Sequence, residues 1–333
     1  MQILVTGAAG FIGSALCQKL TNAGNSVFAL DNFSDYYDTS LKHYRVKELL
    51  EPSRVEVVDL DICNKVELSK FIKISKPDVV INLAAQAGVR LPLNQSYKYV
   101  DSNLVGFTNI LTESVENKIR YFLYASSSSV YGDKAAIPYS ETESNLHPTS
   151  FYGATKLANE LLTPTLIKNS GTSARALRFF TVYGPWGRPD MAYFRMIANV
   201  ISGSEFNFYG DGSIERDFTY IEDAVNSIIA LMVELQNRGP GYSDVVNLGG
   251  GRPLSMNYLL ETVGKLTNKK VMFNRFETNS NDAKKTMSDS NYIQSLIGSK
   301  PKIKLEDGIA QTIKWAQRKD MSEKLDNWVK SVK

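Results

Sequence analysis

The chain has 333 residues, with 38 Lys and Arg against 35 Asp and Glu, for a formal net charge of +3. That balance shows no basic stripe and gives no electrostatic case for a nucleic-acid or membrane partner. The two cysteines, Cys17 and Cys63, and two histidines, His43 and His147, exclude a disulfide framework and a typical zinc site. Met1 leads into "QILVTGAAGFIG", a strand and turn with neither a basic leader nor a signal-peptide core. No apolar run reaches the roughly 18 to 20 residues that span a bilayer, so a soluble cytoplasmic protein is expected. The 43% hydrophobic content suffices for one large domain or two closely packed ones.

Along the first half, short β-branched runs at 3–5, 27–30, 55–58, 79–83 and 121–124 read as buried strands. Helical patterns lie between them at 11–21, 41–50, 65–73 and 103–116, followed by a helix over 152–168 and a strand over 174–179. Alternating elements with fully apolar strands predict an α/β fold whose doubly wound parallel sheet is covered on both faces. After residue 180 the rhythm breaks at "TVYGPWGRPD", a loop. Helices at 194–201 and 221–235, a strand at 245–248 and polar stretches such as 279–285 then suggest a smaller mixed α/β lobe. No linker separates the halves, so a shared cleft is expected.

"TGAAGFIGSAL" sets Gly7, Gly10 and Gly13 between the first strand and a helix. A turn without Cβ atoms lets backbone N–H groups and a helix N-terminus approach a pyrophosphate, although glycine turns also join many strands to helices. Asp31, ending the second strand 18 residues after Gly13, adds the carboxylate that would hydrogen-bond adenosine ribose hydroxyls and repel a 2′-phosphate. NAD is therefore expected over NADP, bound by a Rossmann-like domain at 1–180, with 181–333 as the substrate lobe and some of its segments returning to the first domain. Asp61, after the third strand, could meet the adenine or cap a helix.

Among the 17 tyrosines only Tyr152 is followed four residues on by lysine, in "YGATK". Positions i and i+4 share a helix face, so Tyr152 and Lys156 are expected side by side after the serine stretch that ends the fifth strand. The charge of Lys156 and of an oxidised nicotinamide would both favour tyrosinate, which could then serve as general base for a sugar hydroxyl.

With these residues, "NLAAQAGVR" (82–90), "ASSSSVYG" (125–132), "RFFTVYGPWGRPDMAYF" (178–194) and "RDFTYIEDA" (216–224) resemble the extended short-chain dehydrogenase/reductase family. Within it they are most similar to the nucleotide-sugar epimerases that act on UDP-glucuronate. The resemblance implies Ser127, Tyr152 and Lys156 as catalytic residues. It implies Gly7, Gly10, Phe11, Ile12, Gly13, Asp31, Asn32, Asp61, Ile62, Leu83, Ala84 and Ala85, with Tyr152 and Lys156, as the NAD site. A UDP-sugar would be held by Arg90, Ser128, Ser129, Thr181, Arg188, Arg216 (on the diphosphate) and Asp282, and a homodimer is expected. Asp282 here follows Asn281, where the family has glycine or proline. Asn103 and Asp217 read as structural.

In the related dehydratases an Asp-Glu pair stands at the positions of Ser128 and Ser129, and in the decarboxylases a glutamate precedes the "VYG". Here only hydroxyls are present. Serine at its normal pKa cannot remove a C5 proton without an adjacent base, so the row permits oxidation at C4 and hydride return and withholds the later step. A 4-ketone β to the C6 carboxylate is prone to lose carbon dioxide; Ser128, Ser129, Thr181 and Arg188 are the candidate groups that restrain it. Arg188 offers a bidentate match, or could simply pair within its loop. The expected reaction is C4 epimerisation of UDP-glucuronate. The alternatives are the same reaction on a neutral UDP-hexose or UDP-N-acetylhexosamine, and a non-catalytic NAD sensor.

Overall fold

The computed structural model describes residues 1–88, 91–277 and 283–332. Its strands, in chain order, are β1 (Gln2–Thr6), β2 (Ser26–Asp31), β3 (Val57–Asp59), β4 (Val79–Asn82), β5 (Tyr121–Ser127), β6 (Ser173–Phe179) and β7 (Thr181–Tyr183). They continue with β8 (Asn207–Tyr209), β9 (Glu215–Tyr220), β10 (Ser243–Leu248), β11 (Pro253–Ser255) and β12 (Asn274–Phe276). Seven of them form one parallel sheet in the order β10-β6-β5-β4-β1-β2-β3. The chain winds outward from β1 in both directions, so β1 and β4 flank the reversal point where this fold class places its ligand.

Alternation along the buried strands feeds two cores. Ile3 and Val5 pack on one face with Leu16 of helix Phe11–Asn22 and Ile228 of helix Ile221–Leu235; Leu4 packs on the other with Phe107 and Phe122. At the mouth of the reversal point Thr6 Oγ1 donates to Asn82 Oδ1 (2.5 Å) and accepts from Ala84 N (3.2 Å), tying the ends of β1 and β4 together.

Two details depart from the sequence reading, and a third fills in one of its open points. The run 245–248, assigned to the smaller lobe, is among the segments that return: β10 pairs with β6, and Arg175 of β6 grips Asp244 of β10 at 2.7 Å. The third strand begins at Val57 because Val55 N–H closes the preceding turn on Leu50 O (3.0 Å), after left-handed Arg54. The helices expected at 41–50 and 103–116 are Ser40–Arg45 and Phe107–Glu116, joined to the wider π turns Val46–Leu50 and Val100–Gly106.

The remainder forms a three-stranded sheet, β11-β9-β7, and a β8–β12 pair beside the C-terminal ends of the main sheet. Among the described residues no helix is long and apolar enough to cross a membrane.

Candidate active site

A cleft of about 770 Å³ runs from the glycine turn to the β8–β12 pair. Its cofactor end is built on Gly7, which has φ +70° and lies so close to β4 that a Cβ would sit 2.8 Å from Ala84 N. A Cβ on Gly13 would meet Gly7 O at 2.1 Å, so the helix can start against the turn only with glycine there. Gly10 caps helix Phe11–Asn22 without a side chain, which leaves the N-terminus facing the cleft. Such a cradle, which any Cβ would fill, fits the pyrophosphate of a dinucleotide. Phe11, Ile12, Asn32, Ile62, Leu83, Ala84 and Ala85 line the same part of the cleft.

Asp31 lines the cleft and also braces the glycine turn. Its Oδ2 accepts from Ala9 N (3.0 Å), fastening the glycine turn, and Oδ1 accepts from Phe33 N (2.8 Å) and Lys42 Nζ (3.2 Å). Lys42 is itself buried and was not singled out from the sequence. It offsets part of the negative charge of Asp31, on which the expected exclusion of a 2′-phosphate depends. Asp31→Ala is therefore expected to weaken NAD about tenfold or more, through loss of a charged hydrogen-bond acceptor, and to free Lys42 for a phosphate. Titrating the variant with NAD and NADP checks this; unchanged affinities for both would show that Asp31 is not at the ribose.

Asp61 lines the cleft but does not cap the helix, whose cap is Asn64, accepting from Glu67 N at 3.2 Å. Burial pushes the Asp61 carboxyl up, yet donation from Cys63 N (2.8 Å) and Asn32 Nδ2 (2.9 Å) holds it below the usual range.

At the centre, β5 ends in Ser127, whose Oγ accepts from Ser129 N (3.1 Å) and donates to Ser129 Oγ (3.1 Å) in a 3₁₀ turn. Helix Phe151–Ile167 starts beside it, capped by Ser150 Oγ accepting from Gly153 N (3.0 Å). A Cβ on Gly153 would come within 2.6 Å of Ser129 O, so this glycine lets the helix close on the serine turn. Tyr152 and Lys156 then share the face toward the cleft, with Lys156 Nζ 5.7 Å from the Tyr152 ring centre.

Burial dominates the electrostatics of this pair. Lys156 Nζ donates to Ala125 O (2.9 Å), and burial pulls its pKa down to about 8 against the pull of Glu160. The Tyr152 phenol is raised above its ordinary value: burial wins over the opposing Arg188 charge and Ser127 hydroxyl. Among the neighbouring cations, Arg188 pulls the phenol down without overcoming burial.

Arg188 lines the cleft and is also paired within its loop: Nε and Nη2 donate to the two oxygens of Asp190 at 3.0 and 2.5 Å. Burial disfavours its charge, but the adjacent carboxylate keeps it firmly protonated. Ser128, Ser129 and Thr181 line the same wall. Arg216, also in the cleft, donates from Nη1 to Glu215 O (2.9 Å) and Ala283 O (2.8 Å). Arg90 and Asp282 lie outside the described residues. Asn103 holds Gln86 N (2.8 Å), Gln86 O (3.1 Å) and Thr155 Oγ1 (3.1 Å), and buried Asp217 accepts from Gly250 N (3.2 Å), Gly251 N (2.9 Å) and Ser288 N (2.9 Å); both fit their structural reading.

The model of the NAD dependent epimerase/dehydratase family matches residues 3–249. The chain belongs to this family. It is 34% identical over 330 residues to a probable UDP-glucuronate 4-epimerase of Rhizobium meliloti, covering 95% of this chain and 96% of that one. It superposes on the UDP-glucuronic acid 4-epimerase of Bacillus cereus, solved with UDP-glucuronic acid and NAD, with a TM-score of 0.85 at 34% identity, covering 95% and 98% of the two chains. A Thermotoga maritima UDP-glucose 4-epimerase, solved with UDP-glucose, gives 0.84 at 26% identity, covering 95% and 98%.

This epimerase/dehydratase-family cleft also contains residues that no motif indicated. Lys42, Tyr36, Tyr37 and Asp190 all line it. Next to the cleft, the Tyr99 ring lies tilted at 6.2 Å from that of Tyr152, and its hydroxyl donates to Gly88 O (2.6 Å). Only Asp190 left a local signal, its place two residues after Arg188.

Proposed function

We propose that the protein is an NAD-dependent 4-epimerase of a UDP-sugar, interconverting UDP-glucuronate and UDP-galacturonate. The observation that carries this reading is the chemistry gathered around Tyr152: its phenol, a row of serine hydroxyls and a guanidinium, with no acid in the Ser126–Ser129 stretch. Likeness to enzymes named for UDP-glucuronate supports the same reading.

In this scheme Gly7, Gly10, Phe11, Ile12 and Gly13 receive the pyrophosphate of NAD. Asp31 and Asn32 meet the ribose, Asp61 and Ile62 the adenine end, and Leu83, Ala84 and Ala85 the dinucleotide along β4. When bound, NAD would supply a reversible hydride acceptor for the sugar C4. Tyr152 takes the C4 hydroxyl proton and gives it back, Ser127 hydrogen-bonds the reacting oxygen, and Lys156 orients the cofactor end of the tyrosine face. Arg216 holds the diphosphate. Ser128, Ser129, Thr181 and Arg188 hold the uronate, keeping the carboxylate away from the geometry that expels carbon dioxide from the 4-ketone. Residues 1–180 act as the cofactor domain and 181–333 as the substrate lobe.

Because the same hydrogen returns to C4, substrate deuterated at C4 is expected to give product that keeps the label there. Mass spectrometry of both sugars tests this; loss of label to water would exclude the scheme. One observation favours the neutral-sugar alternative: the Arg188 fork is already occupied by Asp190. Product analysis with UDP-glucuronate, UDP-glucose and UDP-N-acetylglucosamine separates the two, and turnover of the neutral sugars alone would overturn the uronate assignment.

We also place the protein in the cytoplasm as a homodimer. Val105 beside helix Phe107–Glu116, and Leu161, Leu162 and Leu166 on helix Phe151–Ile167, are exposed apolar side chains of the kind an interface would cover. A monomer in sedimentation analysis would remove that part of the proposal.

A further inference from the structure

Arg45 belongs to none of the motifs above. Its side chain is fully buried at 0% exposure, and all its hydrogen bonds among the described residues go to neutral oxygens. Nη1 donates to Ala9 O (3.2 Å), inside the glycine turn, and to Tyr37 Oη (2.7 Å). Nε donates to Trp186 O (2.9 Å) and Nη2 to Gly187 O (3.0 Å), the two residues directly before Arg188. One planar group therefore joins three segments that are far apart in sequence, and a buried cation without a carboxylate is costly unless its donors are satisfied in this way.

The loop it holds is not relaxed. Trp186 has φ +64°, in the left-handed region that bulky residues avoid, and its ring packs 5.1 Å from that of Trp315. Such a conformation persists only where the surroundings over-determine it, and Arg45 grips the carbonyl of this very residue. Two residues on, the Nε and Nη2 edge of Arg188 is taken by Asp190. What Arg188 can still present to a substrate is set by where the backbone of 186–190 stands.

We infer that Arg45 is a positioning residue: it holds the loop carrying Arg188 and Asp190 against the cofactor turn and thereby sets the discrimination between an acidic and a neutral sugar nucleotide. The inference rests on the reading of Arg188 as the group that meets the uronate. It accounts for a guanidinium rather than an ammonium, since a point charge cannot satisfy three segments together.

The test is Arg45→Lys, which keeps the charge and loses the fork. Binding of UDP-glucuronate and UDP-glucose to NAD-loaded protein is measured by calorimetry, in the Tyr152→Phe background so that nothing turns over, with and without Arg188→Ala. Arg45→Lys is expected to cut the acid-to-neutral affinity ratio about tenfold, as a loop misplaced by a fraction of an ångström would, with NAD still bound. In the Arg188→Ala background it should change the ratio no further, because the effect passes through Arg188. Equal losses on both ligands, or an additional loss in that background, overturn the inference. If Arg188→Ala alone leaves the ratio unchanged, the reading of Arg188 fails and takes the inference with it; a change there without one in Arg45→Lys overturns the inference only. Should Arg45→Lys not fold, Tyr37→Phe keeps the ring and removes one acceptor. A two- to threefold fall in the ratio is expected of that smaller perturbation, and an unchanged ratio counts against the inference.

Discussion

Tyr152→Phe is expected to cut turnover by about a thousandfold or more while NAD stays bound, because the ring persists and only the proton acceptor is lost. The size of the effect follows from the burial of the phenol. Its pKa stands above the ordinary tyrosine value, with burial the largest influence and Arg188 and Ser127 pulling the other way. To act as base near pH 7 the phenol must come down by at least about 3 pH units, or about 4 kcal/mol. Arg188 and Ser127 already count in that balance, so the positive charge of a bound nicotinamide ring would have to supply the fall. No neighbouring side chain can substitute: the serines have no adjacent base, and Lys156 is committed to Ala125 O at 2.9 Å. Steady-state kinetics together with the NAD content of the purified variant check this. Activity within tenfold of the parent would remove Tyr152 from the mechanism.

The second large effect concerns substrate choice. Arg188→Ala is expected to lose at least about 2 kcal/mol of transition-state binding for UDP-glucuronate, the worth of a charge-assisted pair in a closed pocket, and less for a neutral sugar nucleotide, which loses only the charge that favours ionisation of Tyr152. The variant also leaves Asp190 without its bidentate partner beside the cleft. A lone carboxylate there would repel the uronate, so the loss on the acid should exceed what removing one hydrogen bond would give. Release of a decarboxylated pentose nucleotide is expected as well, since the carboxylate is no longer restrained. Measuring kcat/KM on UDP-glucuronate and UDP-glucose, with product analysis, decides the matter. Equal losses on both would assign Arg188 to the diphosphate or to its own loop.

The parts of this site that the sequence reveals are those whose chemistry is local. Gly7, Gly10 and Gly13 lie in one turn, Tyr152 and Lys156 on one helix turn, and the serine row at one strand end, so spacing alone brings them together. Arg45 and Lys42 show the opposite case. Both stand in a short polar helix that looks like a solvated surface segment, yet both are buried. What buries Arg45 is contact with Trp186, 141 positions away, and no local pattern encodes such a contact. The desolvation of Tyr152 is hidden for a related reason: charge neighbours can be guessed from spacing, but the burial that outweighs them depends on the whole packed cleft. The departures at residues 41–50 and 103–116 arise because π turns keep helical composition while shifting the phase.

The placement of β10 bears on how the chain reaches its folded state. Every residue of β6 is buried, and that depends on a strand lying some 70 positions downstream. A polypeptide cut at residue 180 contains the whole glycine turn, Tyr152 and Lys156, yet it leaves β6 as an open apolar edge and Arg175 without Asp244. During synthesis the cofactor half must therefore wait, with a sticky strand uncovered, until the chain beyond residue 248 has emerged. Long-range pairing of this kind slows folding and exposes intermediates to self-association. A fragment ending at residue 180 is therefore expected to self-associate through the uncovered edge of β6.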